Sequence, residues 1–518
     1  MSSLPHSAIA CTFSRGAAQA FARLPIMSAL KLCVLSSEIL PYAKTGGLAD
    51  VAGALVQNLR LLGHEVRAFM PLYAAVRAAN PELQPVADVQ QVPLGIGSTE
   101  YRFSLQTARF PGTDIPMYFI DCPALYDRTD FYTLDPDEHR RFLLFTRATL
   151  EACRRIAYAP DIFHCNDWHT ALLPLYLKTR YASDPLLGRA RTVLTIHNIG
   201  YQGAMPSAAA ADLGIEAPER LLDAGDWANG VINVLKTGIV FADRVTTVSP
   251  TYAREICEGP LGMGMQAALH ARPDGVAGIL NGVDYRDWDP RHDPYLTAHF
   301  GPHDLRGKRV NKELLIAATG IEPAPARPLI GMVTRLAEQK GIDLLFDALP
   351  AELRERDAGL LVLGSGEPRY VAFFEELARR FPGRVSFRAG YDESLAHLIE
   401  AGSDIFLMPS RYEPCGLNQM YSLRYGTIPV VRNTGGLADS VQHFNPATGV
   451  GTGCVFNDYD APAVRWAIRT TLDWYDAPKV WQTLMQNAMA QDFSWTRQIV
   501  QYESLYRDLL RRDPARPA

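Results

Sequence analysis

From Leu30 to the end of the chain, short apolar runs alternate with longer segments that are apolar on one side only. The runs Leu32–Ser36, Val66–Met70, Met117–Asp121, Ile162–His164, Thr192–His197 and Arg244–Val248 have the length and composition of buried strands. Between them lie segments such as the one carrying Leu48, Val51, Leu55, Leu59 and Leu62, whose spacing predicts a helix with one buried face. A second series follows at Leu329–Val333, Leu360–Leu363, Val385–Phe387, Ile405–Pro409 and Ile428–Val431. Strand and helix in strict alternation predict an α/β fold with parallel sheets. The stretch from Asn281 to Pro302, rich in Pro, Gly and Asp, reads as the junction between the two series. Ile499, Tyr502, Tyr506 and Leu509 then predict a packed helix over Ser494–Leu510. The expected organisation is a disordered extension over 1–29, domains over 30–295 and 296–493, and a closing helical segment over 494–518.

Bulk properties narrow the picture. With 518 residues the chain exceeds what one ordinary core holds. A net charge of −5 with no long basic block argues against nucleic acid as a partner. No apolar run is long enough to cross a bilayer. Eight scattered cysteines without paired spacing point to a reducing compartment, the cytoplasm. No acidic residue precedes Glu38, a composition that import signals share. Met27 leads straight into the first strand, which favours a tail or an upstream start.

The chemistry gathers where predicted strands end. Lys44-Thr45-Gly46-Gly47-Leu48-Ala49-Asp50 sits between a strand and a helix. Adjacent glycines let the backbone approach a ligand, free N–H groups at a helix start attract anions, and Lys44 adds a mobile positive charge. The same words recur as Thr434-Gly435-Gly436-Leu437-Ala438-Asp439, so two similar halves could hold one anionic ligand between them. Arg335 and Lys340 share one loop after Leu329–Val333; a planar fork beside a point charge suits a diphosphate, the alternative being solvated pairs with Glu338 or Asp343. Glu413, held by Pro414 and Gly416 after Ile405–Pro409, can accept hydrogen bonds from a polar ligand's hydroxyls; the duller reading is a helix cap. His197 and Asn198 end another strand; a lone histidine is more often a satisfied core residue, but the strand-end place beside Asn198 favours function.

The segment His164-Cys165-Asn166-Asp167-Trp168-His169 contains metal-ligand types, but its spacing matches no structural zinc pattern. Asp167 and His169 read as cleft-lining loop residues. The pairs Asp135/Asp137, Asp287/Asp289 and Asp458/Asp460 read as turn residues rather than cation holders. Leu363-Gly364-Ser365-Gly366 starts like a dinucleotide fingerprint and fails at Arg369.

Taken in order, the Lys44–Asp50 loop, His197-Asn198, Asn281-Gly282-Val283-Asp284, Arg335 with Lys340, Glu413-Pro414-Cys415-Gly416-Leu417 and Thr434-Gly435-Gly436-Leu437 resemble the bacterial glycogen synthases. The likeness covers essentially everything from Leu30 onward. Plant starch synthases usually carry Gly in place of Ala49. The resemblance implies the GT-B architecture: two Rossmann-like domains with parallel sheets facing an interdomain cleft, and a C-terminal helix crossing back to the first. It implies a retaining hexosyltransferase that extends α-1,4-glucan from ADP-glucose in glycogen biosynthesis.

Carried over residue by residue, Lys44 and Gly47 would meet the donor's distal phosphate and sugar. Arg335 and Lys340 would bind the diphosphate with backbone N–H groups of Thr434, Gly435 and Gly436. Glu413 and Asn281 would hold the glucose hydroxyls, and Tyr391 would stack on adenine. His197 would sit over the transferred sugar, with Asp50, Tyr132, Asp167 and Asn198 lining the sugar and acceptor side. Many retaining GT-B enzymes place a second Glu where this chain has Tyr421, a position at which the glycogen synthase branch also lacks it.

The expected chemistry follows from charge. Cleaving the glucose–phosphate bond makes an oxocarbenium-like sugar and a more negative diphosphate, which Arg335 and Lys340 would stabilise by about 3 kcal/mol per well-placed donor. No metal or cofactor is then called for. Retention ordinarily suggests a carboxylate nucleophile. No candidate stands out, and the resemblance implies same-face attack, with the leaving phosphate taking the acceptor's proton and His197 orienting.

Overall fold

The computed structural model describes residues 28–511 apart from 323 and 325. The expected N-terminal extension therefore lies, save for its last two residues, outside the described residues. Contacts divide the chain into two units. Of the described residues, one holds 28–247, Ile256–Ile279 and 495–511; the other holds Val248–Glu255 and Leu280–Ser494. Asn281–Pro302 thus lies wholly inside the second unit.

The first unit is built on a 10-stranded sheet. From one edge, its strands Val276–Gly278, Arg244–Thr247, Arg191–Ile196, Ile162–Asn166, Lys31–Leu35, Glu65–Pro71 and Pro116–Asp121 run parallel. Leu32, Cys33, Val34 and Leu35 are all but inaccessible, as expected for a strand covered on both faces. Beyond Pro116–Asp121 the sheet turns antiparallel with Thr99–Arg109, which also pairs with Val92–Ile96. Continuous apolar runs do not reveal this hairpin, because its first strand alternates buried and exposed positions. Trp495–Arg511 packs on helix Gly47–Leu61 in this unit. Buried ties hold it: His64 Nε2 lies 2.5 Å from Glu503 Oε2, and His164 Nδ1 2.6 Å from the Tyr506 hydroxyl.

The second unit carries a six-stranded parallel sheet in the order Val385–Ala389, Gly359–Gly364, Leu329–Val333, Ile405–Met408, Ile428–Arg432, Cys454–Phe456. In each sheet the chain winds outward first to one side and then to the other. The switch falls between Lys31–Leu35 and Ile162–Asn166 in the first unit, and between Leu329–Val333 and Ile405–Met408 in the second. Loops leaving the carboxyl ends of such strand pairs frame a crevice with no crossing connection.

Candidate active site

At the first unit's switch point, two loops bring acids together. Lys31–Leu35 runs into Ser36-Ser37-Glu38, and Glu38 is only 2 % exposed. Its carboxylate accepts the Tyr132 hydroxyl at 2.6 Å, the Thr45 hydroxyl at 2.7 Å and the Thr45 N–H. Ser37 Oγ lies 2.8 Å from the same Tyr132 oxygen. Glu38 therefore fixes both the start of the glycine loop and the Tyr132 ring. Within that loop Lys44 Nζ pairs with Asp50 at 2.9 Å. Helix Gly47–Leu61 begins at Gly46, whose backbone is extended and whose missing side chain would meet open space.

The second loop follows Ile162–Asn166. Asp167 is held at φ +54°, an uncommon conformation for a non-glycine residue that marks a specified geometry. Its Oδ1 accepts the N–H groups of His197 at 2.7 Å and Asn198 at 3.3 Å. Burial pushes its pKa up to about 7 against the pull of those two N–H groups, with Glu38 adding repulsion. His197 Nε2 lies 2.8 Å from Asn166 Oδ1. The Asn166 amide N–H donates to Leu35 O at 2.8 Å, which leaves Oδ1 as acceptor and places the His197 proton on Nε2. Burial lowers the His197 pKa to about 3, so the ring is neutral. The His169 ring stacks on Tyr132 at 4.9 Å, joining the two loops. Tyr132, Asp167, His197 and Asn198 thus converge, with Lys44, Gly47 and Asp50 on the neighbouring helix start. His164 is a satisfied core residue between Tyr506 and Thr195 Oγ1.

At the second unit's switch point the balance is cationic. Lys340 Nζ donates to both oxygens of Glu413, at 2.9 and 2.6 Å, and Ser410 Oγ donates to Glu413 Oε2 at 2.9 Å. Lys340 has found neither Glu338 nor Asp343: Arg411 pairs with Glu338, and Asp343 accepts the Tyr459 hydroxyl. Glu413 is 4 % exposed and caps no helix; the following helix Asn418–Arg424 has no side-chain cap. Arg335 reaches Gln339 Oε1 at 3.1 Å, and Gly341 sits where any side chain would strike Pro409 O. Backbone packing therefore sets both loops. Asn281 lies against Cys415 at 5 % exposure, and its Oδ1 is buried without a hydrogen-bond partner. Tyr391, past Val385–Ala389, is 62 % exposed, so its ring has an open face.

Thr434, Gly435 and Gly436 are placed differently from the expectation of free N–H donors. Gly435 N–H and the Thr434 hydroxyl donate to Glu255, and Gly436 N–H donates to Glu413 O at 3.0 Å. A side chain at Gly435 would strike Glu413 O, and one at Gly436 would strike Cys415 O. Here the glycines let a short helix press against the Glu413 loop.

Reading from sequence missed Glu38, Asn166, Ser410 and Glu255. Glu38 carried a signal, an acid directly after a strand. The others are recognisable only from their partners. Each aspartate pair has a partnered member: Asp135 and Asp137 bind Arg128, Asp289 binds Arg291 and Arg424, and Asp460 caps helix Ala461–Tyr475. Among the described residues no three His, Cys, Asp or Glu side chains form a group that could hold a metal ion.

Comparison with known proteins gives two family matches: the starch synthase catalytic domain over residues 31–271, and glycosyl transferases group 1 over residues 320–483. Glycogen synthase 1 of Geobacter metallireducens is 42% identical over 494 residues, covering 94% of this chain and 97% of that protein. The glycogen synthase of Anaeromyxobacter dehalogenans strain 2CP-1 is 44% identical over 485 residues, covering 93% and 99%. Among solved structures, the catalytic domain of starch synthase IV from Arabidopsis thaliana, bound to ADP and acarbose, superposes with a TM-score of 0.87 at 34% identity, covering 94% and 100%. A sucrose-phosphate synthase from Thermosynechococcus elongatus shares the fold at TM-score 0.55 and 18% identity, covering 93% and 99%.

Proposed function

The chain belongs to the glycogen synthase family, with starch synthases as relatives, and on that premise we propose how its residues carry out glucan extension. It is a retaining glucosyltransferase of GT-B architecture with two Rossmann-like domains. It transfers glucose from ADP-glucose to the non-reducing 4-hydroxyl of an α-1,4-glucan, in glycogen biosynthesis.

The observation that carries the division of labour is the Lys340–Glu413 pair at the second switch point. An ammonium has three protons, and two of its contacts go to Glu413, so Lys340 is anchored while keeping donor capacity for a phosphate oxygen. Arg335 on the same loop supplies the second cation. As the sugar–phosphate bond lengthens, negative charge grows on the diphosphate beside these two groups and the barrier falls. Glu413 and Asn281 receive the glucose hydroxyls; the unpartnered Asn281 oxygen supports that role. Tyr391 takes the adenine. Thr434–Gly436 act through the Glu413 loop that they support.

In the first unit, Lys44 and Gly47 approach the distal phosphate and sugar, while Asp50, Tyr132, Asp167 and Asn198 face the sugar and acceptor. His197 is neutral and fixed through Nε2, which suits it to orient a hydroxyl and not to remove a proton as a strong base. The departing phosphate then takes the proton of the attacking 4-hydroxyl. No cofactor or metal has a step in this scheme, because the two cationic side chains do the neutralising. The enzyme acts in the cytoplasm, and no described helix is long and apolar enough to cross a membrane.

Radiolabelled glucose transfer to glycogen from ADP-glucose and from UDP-glucose tests the function. Incorporation from ADP-glucose is expected to dominate. Preferential use of UDP-glucose would overturn the donor assignment, and background transfer from both would return the chain to a glucan binder on an enzyme scaffold.

A further inference from the structure

A set of buried rings and acids in the second unit takes no part in the scheme above. Trp288 stacks on two neighbours: Tyr421 at 3.9 Å with the planes 1° apart, and His397 at 3.7 Å and 15°. Tyr421 occupies the position where many retaining GT-B enzymes carry their second glutamate. His397, itself buried, has a carboxylate at each ring nitrogen. Its Nδ1 lies 2.8 Å from Asp293 Oδ2, and its Nε2 lies 3.6 Å from Glu393 Oε1. Asp293 also accepts the Tyr425 hydroxyl at 2.5 Å. The remaining Glu393 oxygen accepts the hydroxyl of Tyr391 at 2.5 Å. A polar chain therefore runs from buried Asp293 through His397 and Glu393 to the exposed ring read as the adenine platform.

An exposed tyrosine must be ordered before a base can stack on it, and that ordering weakens binding unless it is achieved beforehand. Glu393 opens helix Glu393–Gly402, where the helix N-terminus favours a negative charge. His397 stands one turn on, the spacing at which a cation steadies an acid. A ring with a carboxylate near each nitrogen is favoured as an imidazolium, and the Trp288 face favours a cation.

We propose that Glu393 and His397 are positioning residues for the nucleoside end of the donor site, holding the Tyr391 ring in the orientation that receives the base. This rests on reading Tyr391 as the adenine platform. The charged groups facing His397 are Asp293, from the chain ahead of helix Arg306–Thr319, and Glu393 on its own helix. Tyr425 meets it through Asp293, and Tyr295 packs on it at 4.5 Å. Burial opposes the charge, yet Asp293 and Glu393 together raise the His397 pKa above its ordinary value. As pH climbs through that raised value the imidazolium is lost, the closer Asp293 keeps the remaining N–H, and Glu393 is released.

The test is kinetics with ADP-glucose and glycogen between about pH 6 and 9, with ADP affinity measured by titration calorimetry, for the intact protein and single variants. Tyr391→Ala is expected to raise the donor KM by about tenfold or more. Tyr391→Phe and Glu393→Ala are each expected to raise it about three- to tenfold with kcat within about twofold, and ADP affinity should fall in parallel. In the unaltered protein the donor KM should rise at the alkaline end, whereas His397→Gln should show the raised KM at every pH. A large effect of Tyr391→Ala beside silent Glu393→Ala and pH-insensitive donor binding would overturn the relay and leave the Tyr391 reading standing. An unchanged KM in Tyr391→Ala would overturn both. Should His397→Gln melt early, Glu393→Ala at the helix surface still decides.

Discussion

The six letters Thr-Gly-Gly-Leu-Ala-Asp occur once in each unit, after Lys31–Leu35 at the first switch point and after Ile428–Arg432 one strand beyond the second, and do different work there. At Thr45–Asp50 the loop is open. Gly46 has space where a side chain would go, Thr45 is held from behind by Glu38, and the terminal Asp50 pairs with Lys44. At Thr434–Asp439 the same letters are buried against the Glu413 loop, the N–H groups of both glycines are taken by acceptors from the protein, and Asp439 receives Thr251 at 2.7 Å. Electrostatics differ as well. The first switch point gathers Glu38 and Asp167 with two neutral histidines, whereas the second pairs its buried acid with an ammonium. Two glycines after a strand establish only that a backbone passes close to something. Whether that something is a ligand or a neighbouring loop depends on what the rest of the fold puts there.

The largest effect should come from breaking the second switch point's ion pair. Lys340→Ala removes a donor from the developing diphosphate charge and leaves Glu413 buried without its counter-ion, so kcat should fall on the order of 10³-fold. Glu413→Ala should fall comparably, and both proteins should still show the far-UV spectrum of an α/β fold. Near-normal turnover in either purified variant removes that pair from the chemistry.

The two glycine loops should then separate cleanly. Gly435 has φ +45° with Glu413 O where its side chain would be, so Gly435→Ala should lower stability by about 2–4 kcal/mol and activity at least about 100-fold. Gly46 is extended and unobstructed, so Gly46→Ala should fold with stability unchanged within about 0.5 kcal/mol. If the open loop approaches the donor, its donor KM should nonetheless rise about tenfold. Thermal melting and steady-state kinetics on the two proteins check both halves; equal stability losses would erase the contrast.

Much of this was legible in the sequence because parallel sheets write themselves as continuous apolar runs. Leu329–Val333 ends where the pattern placed it, and the other expected strands shift by a residue or two at their ends. The places of the candidate residues were legible for the same reason: Arg335, Lys340, Glu413, His197 and Asp167 all follow such a run. What stayed hidden depends on partners far along the chain. Glu255 meets Gly435 across 180 positions, and Asn166 reveals its role only through Leu35 and His197. Nor does local pattern show that Leu280–Ser494 takes Val248–Glu255 with it, a division that rests on tertiary contacts.

The smallest effect tests the acids themselves. Glu413 has Lys340, whereas the Asp167 carboxylate accepts two backbone N–H groups among the described residues, and burial raises its pKa from the ordinary 3.8 to about 7. A carboxyl whose folded pKa is raised costs nothing while it is protonated in both states. From about pH 4 upward the unfolded chain gains by ionising, so stability drains away until the folded group ionises near pH 7, and the loss is constant above that. Asp167→Asn keeps an acceptor for the His197 and Asn198 N–H groups and removes the ionisation. Relative to the unaltered protein it should therefore be equally stable near pH 4 and more stable by on the order of 2–4 kcal/mol at pH 8, even as transfer activity drops. Chemical denaturation across that range reads the difference directly. A gap that is flat with pH would mean that the fold leaves the Asp167 pKa unraised, and the electrostatic contrast between the two loops would be gone.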